Sequence, residues 1–370
     1  MKLIPNPGAD LISYVERIQR RLSRHGLSLQ HRNRAFFEAA RAVARKHSSE
    51  LDLSALPDHL RGTFGLLNTG EFLRRIDEAE GMSTAFQSAA PLLQLLNLWY
   101  DVQSFVIQVS GLYDSAGTPV FLATAPDWSY NARAFTHRPT GVHIIVFYEL
   151  LFDLMADVSL ALPLAVLPPD IEIPDIAVFP TLASEHFDKG GEASSAVVRR
   201  CLQHFIKRHG RRDFTSTFDA PVSESIRLIA QDVELSMQAF VMGHEIAHLL
   251  SGHQGEMKFW DLPPADEQAR SEQVAERVHR WDQEYEADYI GFKLGRGATI
   301  ASQIPLATYA WSVLLLFSAN EWLMPLHVQE ERSHPPFALR KEWIGKIMET
   351  EQGSPRLDLR PIEKLAGLME

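Results

Sequence analysis

Gly243-His244-Glu245-Ile246-Ala247-His248 is the stretch on which the reading of this chain turns. It has the form H-E-x-x-H and closes a run in which Ile226, Ile229, Val233, Met237, Phe240, Val241 and Ile246 recur at helical intervals. The pattern predicts a helix opening at Ser223 or Ser225, both suitable N-caps, and running to Ser251, with Gly252 as the stop. Four residues turn a helix by about 400°, so the imidazoles of His244 and His248 leave nearly the same side, one turn apart. That spacing suits two nitrogen ligands of one zinc ion. Glu245 adjoins His244 and is poorly placed to bind the same ion; it is placed instead to act on a metal-bound water as general base.

A hydrolytic zinc site needs a third protein ligand and one open position. His253 lies nine residues after His244, whereas the metzincin pattern needs Gly at +7 and His at +10; here +7 is Ser251. That register excludes a metzincin. A second helix is expected over Glu267–Leu294, ending at Gly295. It carries Glu284-Tyr285-Glu286-Ala287-Asp288, in which Glu284 and Asp288 are four apart and share a face. Glu284 is the candidate third ligand, with Glu286 its main competitor, and Asp288 is the candidate acceptor for a ligand imidazole's second nitrogen. Further on, Ser333-His334-Pro335-Pro336-Phe337-Ala338-Leu339-Arg340 offers His334 as a hydrogen-bond donor to a tetrahedral oxyanion and Arg340 as a cation able to hold a carboxylate.

The remaining segments set the architecture. The 370 residues are 45% hydrophobic and 22% charged, an ordinary globular composition. The formal charge of −11 argues against a general nucleic-acid binder. Cys201 is the single cysteine, which excludes an intrachain disulfide and a cysteine-rich zinc finger and suits a reducing, cytoplasmic setting. Residues 1–48 hold ten Lys or Arg against three Asp or Glu, a candidate docking surface for an acidic partner. Helices are expected over Leu11–Leu22, Arg34–His47, Thr69–Ala79 and Leu92–Asp101. Ser104–Ser110 and Val120–Ala125 read as a hairpin, with further strands at Ala132–Phe135 and Val142–Phe147, and a helix over Glu149–Val158. The proline-rich stretch 163–222 reads as irregular, an insertion or lid with one helix near Ser195–His209. The apolar run from Ile304 reads as a buried core helix rather than a membrane span, and Phe337–Met348 as a last helix. The fold class is therefore α+β and mostly helical: a helical N-terminal region (1–100), a main domain with a small antiparallel or mixed sheet (101–350, insertion at 163–222) and a tail (351–370).

Taken together, HEIAH at 244–248, EYEAD at 284–288 and SHPPFALR at 333–340 resemble, in order, the motifs of the gluzincin metallopeptidases. The group most similar is that of HtpX and the CAAX prenyl proteases with their minimal relatives, the minigluzincins; the Lit-type phage-exclusion peptidases share the order. Asn131–Leu151 resembles that group's upstream strand and helix, and Arg340 falls six residues after His334, as the pattern expects. The resemblance covers about residues 130–155 and 225–345 and leaves the first 100 aside. It implies a zincin-like domain and one Zn²⁺ per chain held by His244, His248 and Glu284. It further implies Glu245 and His334 as catalytic groups, with Asp288 and Arg340 supporting the ligands. The activity implied is endopeptidase cleavage of a protein or peptide substrate, which would bind by adding a strand near Val142–Phe147. HtpX and the prenyl proteases carry membrane spans and this chain shows none, so their substrates and location do not transfer. A covered cleft under the 163–222 insertion gives the alternative: a metal-binding regulatory protein or pseudo-peptidase.

Overall fold

The structure, a computed structural model, describes residues 1–22, 30–46, 69–85, 87–110, 117–125, 132–173, 175–188, 195–210, 221–253, 267–323, 335–350 and 358–369. The chain is mostly helical with a small mixed four-stranded sheet, an α+β protein. It divides into two compact units, Met1–Asp153 with Leu249–Gln254, and Leu154–His248 with Gly255–Glu370.

The first unit holds β1 (Lys2–Leu3), α1 (Ala9–Leu22), α2 (Gln30–Lys46), α3 (Thr69–Met82), α4 (Ala89–Ser110), β2 (Pro119–Ala125), β3 (Ala132–His137) and β4 (Val142–Tyr148). The strands lie in the order β1-β2-β4-β3; β1, β2 and β4 run parallel and β3 pairs antiparallel with β4. Val120 to Ala125 and Ile144 to Tyr148 are buried without alternation, as expected of parallel strands covered on both faces. Two expectations are corrected here. Ser104–Ser110 is no hairpin strand but the last two turns of α4, and β2 pairs with β1 and β4. A β-branched run is a weak strand signal when the preceding helix carries no stop; neither Gly nor Pro interrupts 92–110, and Leu92, Leu93, Leu95, Leu96, Leu98, Trp99 and Val102 are buried round most of the helix. Val142–Phe147 is paired on both sides, so it has no free edge to accept a peptide strand.

A neutral polar network ties α1, α2 and β2 to the turn before α4. Gln19 Nε2 donates to the Thr124 carbonyl at 2.6 Å and to Gln87 Oε1 at 3.1 Å, and Thr84 Oγ1 donates to Gln19 Oε1 at 2.6 Å. Asn33 Nδ2 donates to the Gln87 carbonyl at 2.7 Å while its Oδ1 accepts from the Ala89 amide at 3.0 Å. These buried amides are matched by partners, which is the condition for burying them at all.

α5 (Glu149–Ser159) spans the division between the units, and the second unit continues with α6 (Ala161–Val166), α7 (Phe179–Asp188), α8 (Ser195–Phe205), α9 (Glu224–Leu250), α10 (Glu267–Ala301), α11 (Leu306–Leu323), α12 (Phe337–Thr350) and α13 (Arg360–Met369). The 163–222 stretch is more helical than its prolines suggest. Pro163 and Pro180 occupy the first turns of α6 and α7, where a missing N–H leaves no intrahelical bond unmade. A π turn, Ile206–Gly210, follows α8 and places His209 Nε2 2.6 Å from Asp157 Oδ2. Of the two candidate caps, Ser223 starts α9: its Oγ accepts from the Ile226 amide at 3.2 Å. Ser225 Oγ instead accepts from the Ile173 amide at 2.8 Å. α11 is buried along Thr308–Ala319, and no helix among the described residues is long and apolar enough to cross a membrane.

On α9, burial pushes the Asp232 carboxyl up to about 7. The folded chain therefore holds this proton more tightly than the unfolded chain, whose aspartates titrate near about 4. The resulting stabilisation is full below that value and is lost as the pH rises through 7. Asp232→Asn should raise the urea midpoint at pH 8 and leave it unchanged at pH 4; an equal shift at both would refute the assignment.

Candidate metal centre

The expected end of the second helix at Gly295 is corrected: α10 runs on to Ala301. Gly295 is needed for contact, not termination. A Cβ placed on it would stand 2.9 Å from the Ala239 carbonyl carbon of α9. The same holds one turn away. A Cβ on Gly291 would stand 2.7 Å from the His244 nitrogen, and one on Gly243 2.6 Å from the Gly291 oxygen. α9 and α10 thus touch backbone to backbone, with glycine on α10 one turn apart facing Ala239 and Gly243. Tyr309 of α11 braces the contact, donating its hydroxyl to the Phe292 carbonyl at 3.0 Å.

This approach carries the ligand geometry. His244 and His248 come from α9 and Glu284 from α10, and the three donor atoms lie within 4.8 Å of one another. His244 Nε2 and His248 Nε2 are 3.1 Å apart. Glu284 sets Oε2 3.4 Å from the first ring and Oε1 3.4 Å from the second. Donors bound at about 2.0–2.1 Å around one tetrahedral zinc ion are separated by about 3.4 Å; the two Nε2 atoms stand near that spacing, and the carboxylate reaches each ring with a different oxygen. The donor set, two imidazoles and one carboxylate with no thiolate, is that of a three-ligand zinc site with one position left for water. Among the described residues no other group of His, Cys, Asp and Glu converges in this way.

The surroundings favour positive charge at the centre. His244 Nδ1 lies 3.0 Å from Asp288 Oδ1, which directs Nε2 towards the other donors. Burial opposes charging this ring, but Asp288 and Glu284 outweigh it and hold its pKa up at about 9. A divalent cation can take the place of that proton. Asp288 is fully buried; burial alone would raise its carboxyl, yet the Arg340 guanidinium and His244 keep it below the usual range. Arg340 Nε donates to Asp288 Oδ2 at 2.8 Å and its Nη2 donates to Oδ1, a two-pronged clamp.

The structure brings together His244, His248, Glu284, Asp288 and Arg340; Glu245, next to His244 on α9, is 5% exposed and acts electrostatically on Arg340. Glu286 is exposed and is not one of the converging donors. His334 lies outside the described residues. Sequence reasoning did not find the Gly243–Gly291 contact, although glycines at 291 and 295 inside a helical pattern, each costing about 1 kcal/mol relative to Ala, are a signal of close packing.

Comparison with protein-family models, with curated proteins and with solved structures found no match to the chain.

The two glycine environments give opposite expectations for one substitution. Gly291→Ala forces the helices apart and should cost roughly 1–3 kcal/mol in urea unfolding. Gly345→Ala on α12, where a Cβ meets nothing within 4 Å, should instead stabilise by about 0.5–1 kcal/mol. A neutral Gly291→Ala would show that the contact is not required.

Proposed function

We propose that the chain is a zinc-dependent metalloendopeptidase of the gluzincin type. The observation that supports this most is the convergence of three donors, from two helices, within 4.8 Å of one another, with a glutamate adjacent to the first histidine. Zinc in that position supplies a Lewis acid for a carbonyl and lowers the pKa of water to about 7. Glu245 takes the proton of the attacking water and delivers it to the leaving amine, so that one carboxylate serves both halves of the reaction. Asp288 holds His244 in the tautomer that presents Nε2 to the metal, and Arg340 holds Asp288 ionised. His334 is assigned to the oxyanion by the resemblance alone. Peptide bonds as the substrate class also rest on the resemblance, since the side chains by themselves specify metal-assisted hydrolysis.

A second reading, a metal-binding regulatory protein or pseudo-peptidase with a covered cleft, draws on burial: His244, Glu245 and Glu284 are 6%, 5% and 7% exposed. Casein cleavage separates the two. Wild-type protein should carry a single equivalent of zinc and cleave, and Glu245→Gln should retain the zinc and lose activity by about 10²–10⁴-fold. Cleavage that survives Glu245→Gln, or zinc far below stoichiometry, refutes the peptidase reading; stoichiometric zinc without cleavage selects the regulatory one. Metal analysis of two further variants tests the third ligand: Glu284→Ala should lose zinc and Glu286→Ala should keep it.

A further inference from the structure

Behind the donors, five buried side chains from four helices close a ring. His244 of α9 faces Asp288 of α10, and Asp288 is clamped by Arg340 of α12. The Arg340 guanidinium carbon lies 4.6 Å above the ring centroid of Phe317, from α11. Phe317 meets Phe240 edge to face at 5.5 Å, and Phe240 lies against the His244 ring at 6.1 Å. Phe317 is 2% exposed and Arg340 6% exposed, so the cation sits on the aromatic face away from water, where such contacts are strongest. The guanidinium meets Asp288 along one edge and the ring of Phe317 on its face. Contact with the face of Phe317 restrains the tilt of that plane, and the plane bears on the carboxylate facing His244 Nδ1.

We infer that Phe317 is a positioning residue of the metal centre, acting through Arg340 and Asp288 on the orientation of His244. The inference rests on the metal-site reading and adds to it a residue 73 positions from the first ligand with no donor atom of its own. A core phenylalanine with no such role would alter folding stability and leave metal affinity alone. The route through Arg340 makes a sharper statement: Phe317 matters to the metal only while Arg340 is present.

The test measures zinc affinity by chelator competition on the full chain, with the Co²⁺ absorption spectrum as a report on ligand geometry. Phe317→Leu should weaken zinc binding by about tenfold, the low end for loss of a partner outside the ligand set, and change the Co²⁺ bands. Leu315→Ala, a buried position on the same helix outside the ring, should lower the urea midpoint and leave zinc affinity unchanged. In an Arg340→Met background, Phe317→Leu should cost no further affinity. Should Phe317→Leu fail to fold, Phe317→Met makes the same comparison, since it too removes the aromatic face. Unchanged affinity in the Phe317 variant, or an equal loss with and without Arg340, overturns the inference while leaving the metal centre standing. Wild-type protein that takes up no zinc overturns the metal centre itself, and this inference with it.

Discussion

The backbone contact between α9 and α10 is the constraint from which the candidate site follows. Two helices packed through ordinary side chains lie 8–10 Å apart. At Gly243 and Gly291 no side chain intervenes, and the Gly291 backbone reaches the backbone of His244 itself. Glu284 lies about two turns before Gly291 on α10, and His248 one turn beyond His244 on α9. With the helices this close, a carboxylate on one can reach the midpoint between imidazoles on the other. The glycines are unfavourable as helix residues, and their presence is accounted for by what the contact permits.

The second constraint is electrostatic. Asp288, His244, Glu284 and Arg340 are all less than a tenth exposed, and isolated charges at such depth would be costly. They are tolerated because they alternate: Arg340 faces Asp288, Asp288 faces His244, and His244 faces Glu284. Such an arrangement gains geometric definition more than stability, because a misplaced partner leaves a buried charge exposed to nothing that compensates it. The aromatic face of Phe317 lies against Arg340 and the ring of Phe240 lies tilted against His244, apolar neighbours that do not compete for the hydrogen bonds of the group.

What the sequence reveals of all this depends on how local each feature is. His244 and His248 are one helical turn apart, and Glu284 and Asp288 are another such pair, so their faces follow from helix geometry once the helices are granted. The extent of α9 was legible from its period and its Ser223 cap. Ser104–Ser110 was not, because a seven-residue stretch holding Phe105, Val106, Ile107 and Val109 without a stop signal fits a helix as well as a strand, and only the packing of the preceding turns decides. Prolines at 163 and 180 suggested irregular chain because their position relative to a helix start is invisible until the start is known. Gly295 looked like a terminator for the same reason: a glycine that ends a helix and a glycine that admits a neighbouring backbone are identical in one dimension. Phe317 carried no signal, since its partner Arg340 belongs to a different helix.

Two buried polar groupings among the described residues show why one is read as a site and the other as scaffolding. Gln19, Asn33, Gln87 and Thr84 form a set in which N–H and O–H donors meet oxygen acceptors, and nothing further is required to satisfy the group. At 244, 248 and 284 the atoms that face one another are two imidazole nitrogens and a carboxylate, all electron-pair donors, at 3.1 to 3.4 Å. If both rings turned lone pairs inward these atoms would repel, and a proton on an Nε2 or a cation among them relieves that. A proton on His244 serves its contacts with Asp288 and Glu284, as its raised pKa reflects. In the proposed reading a divalent cation takes that place, and the helix contact, the Asp288 carboxylate and the Arg340 clamp keep the three side chains around it.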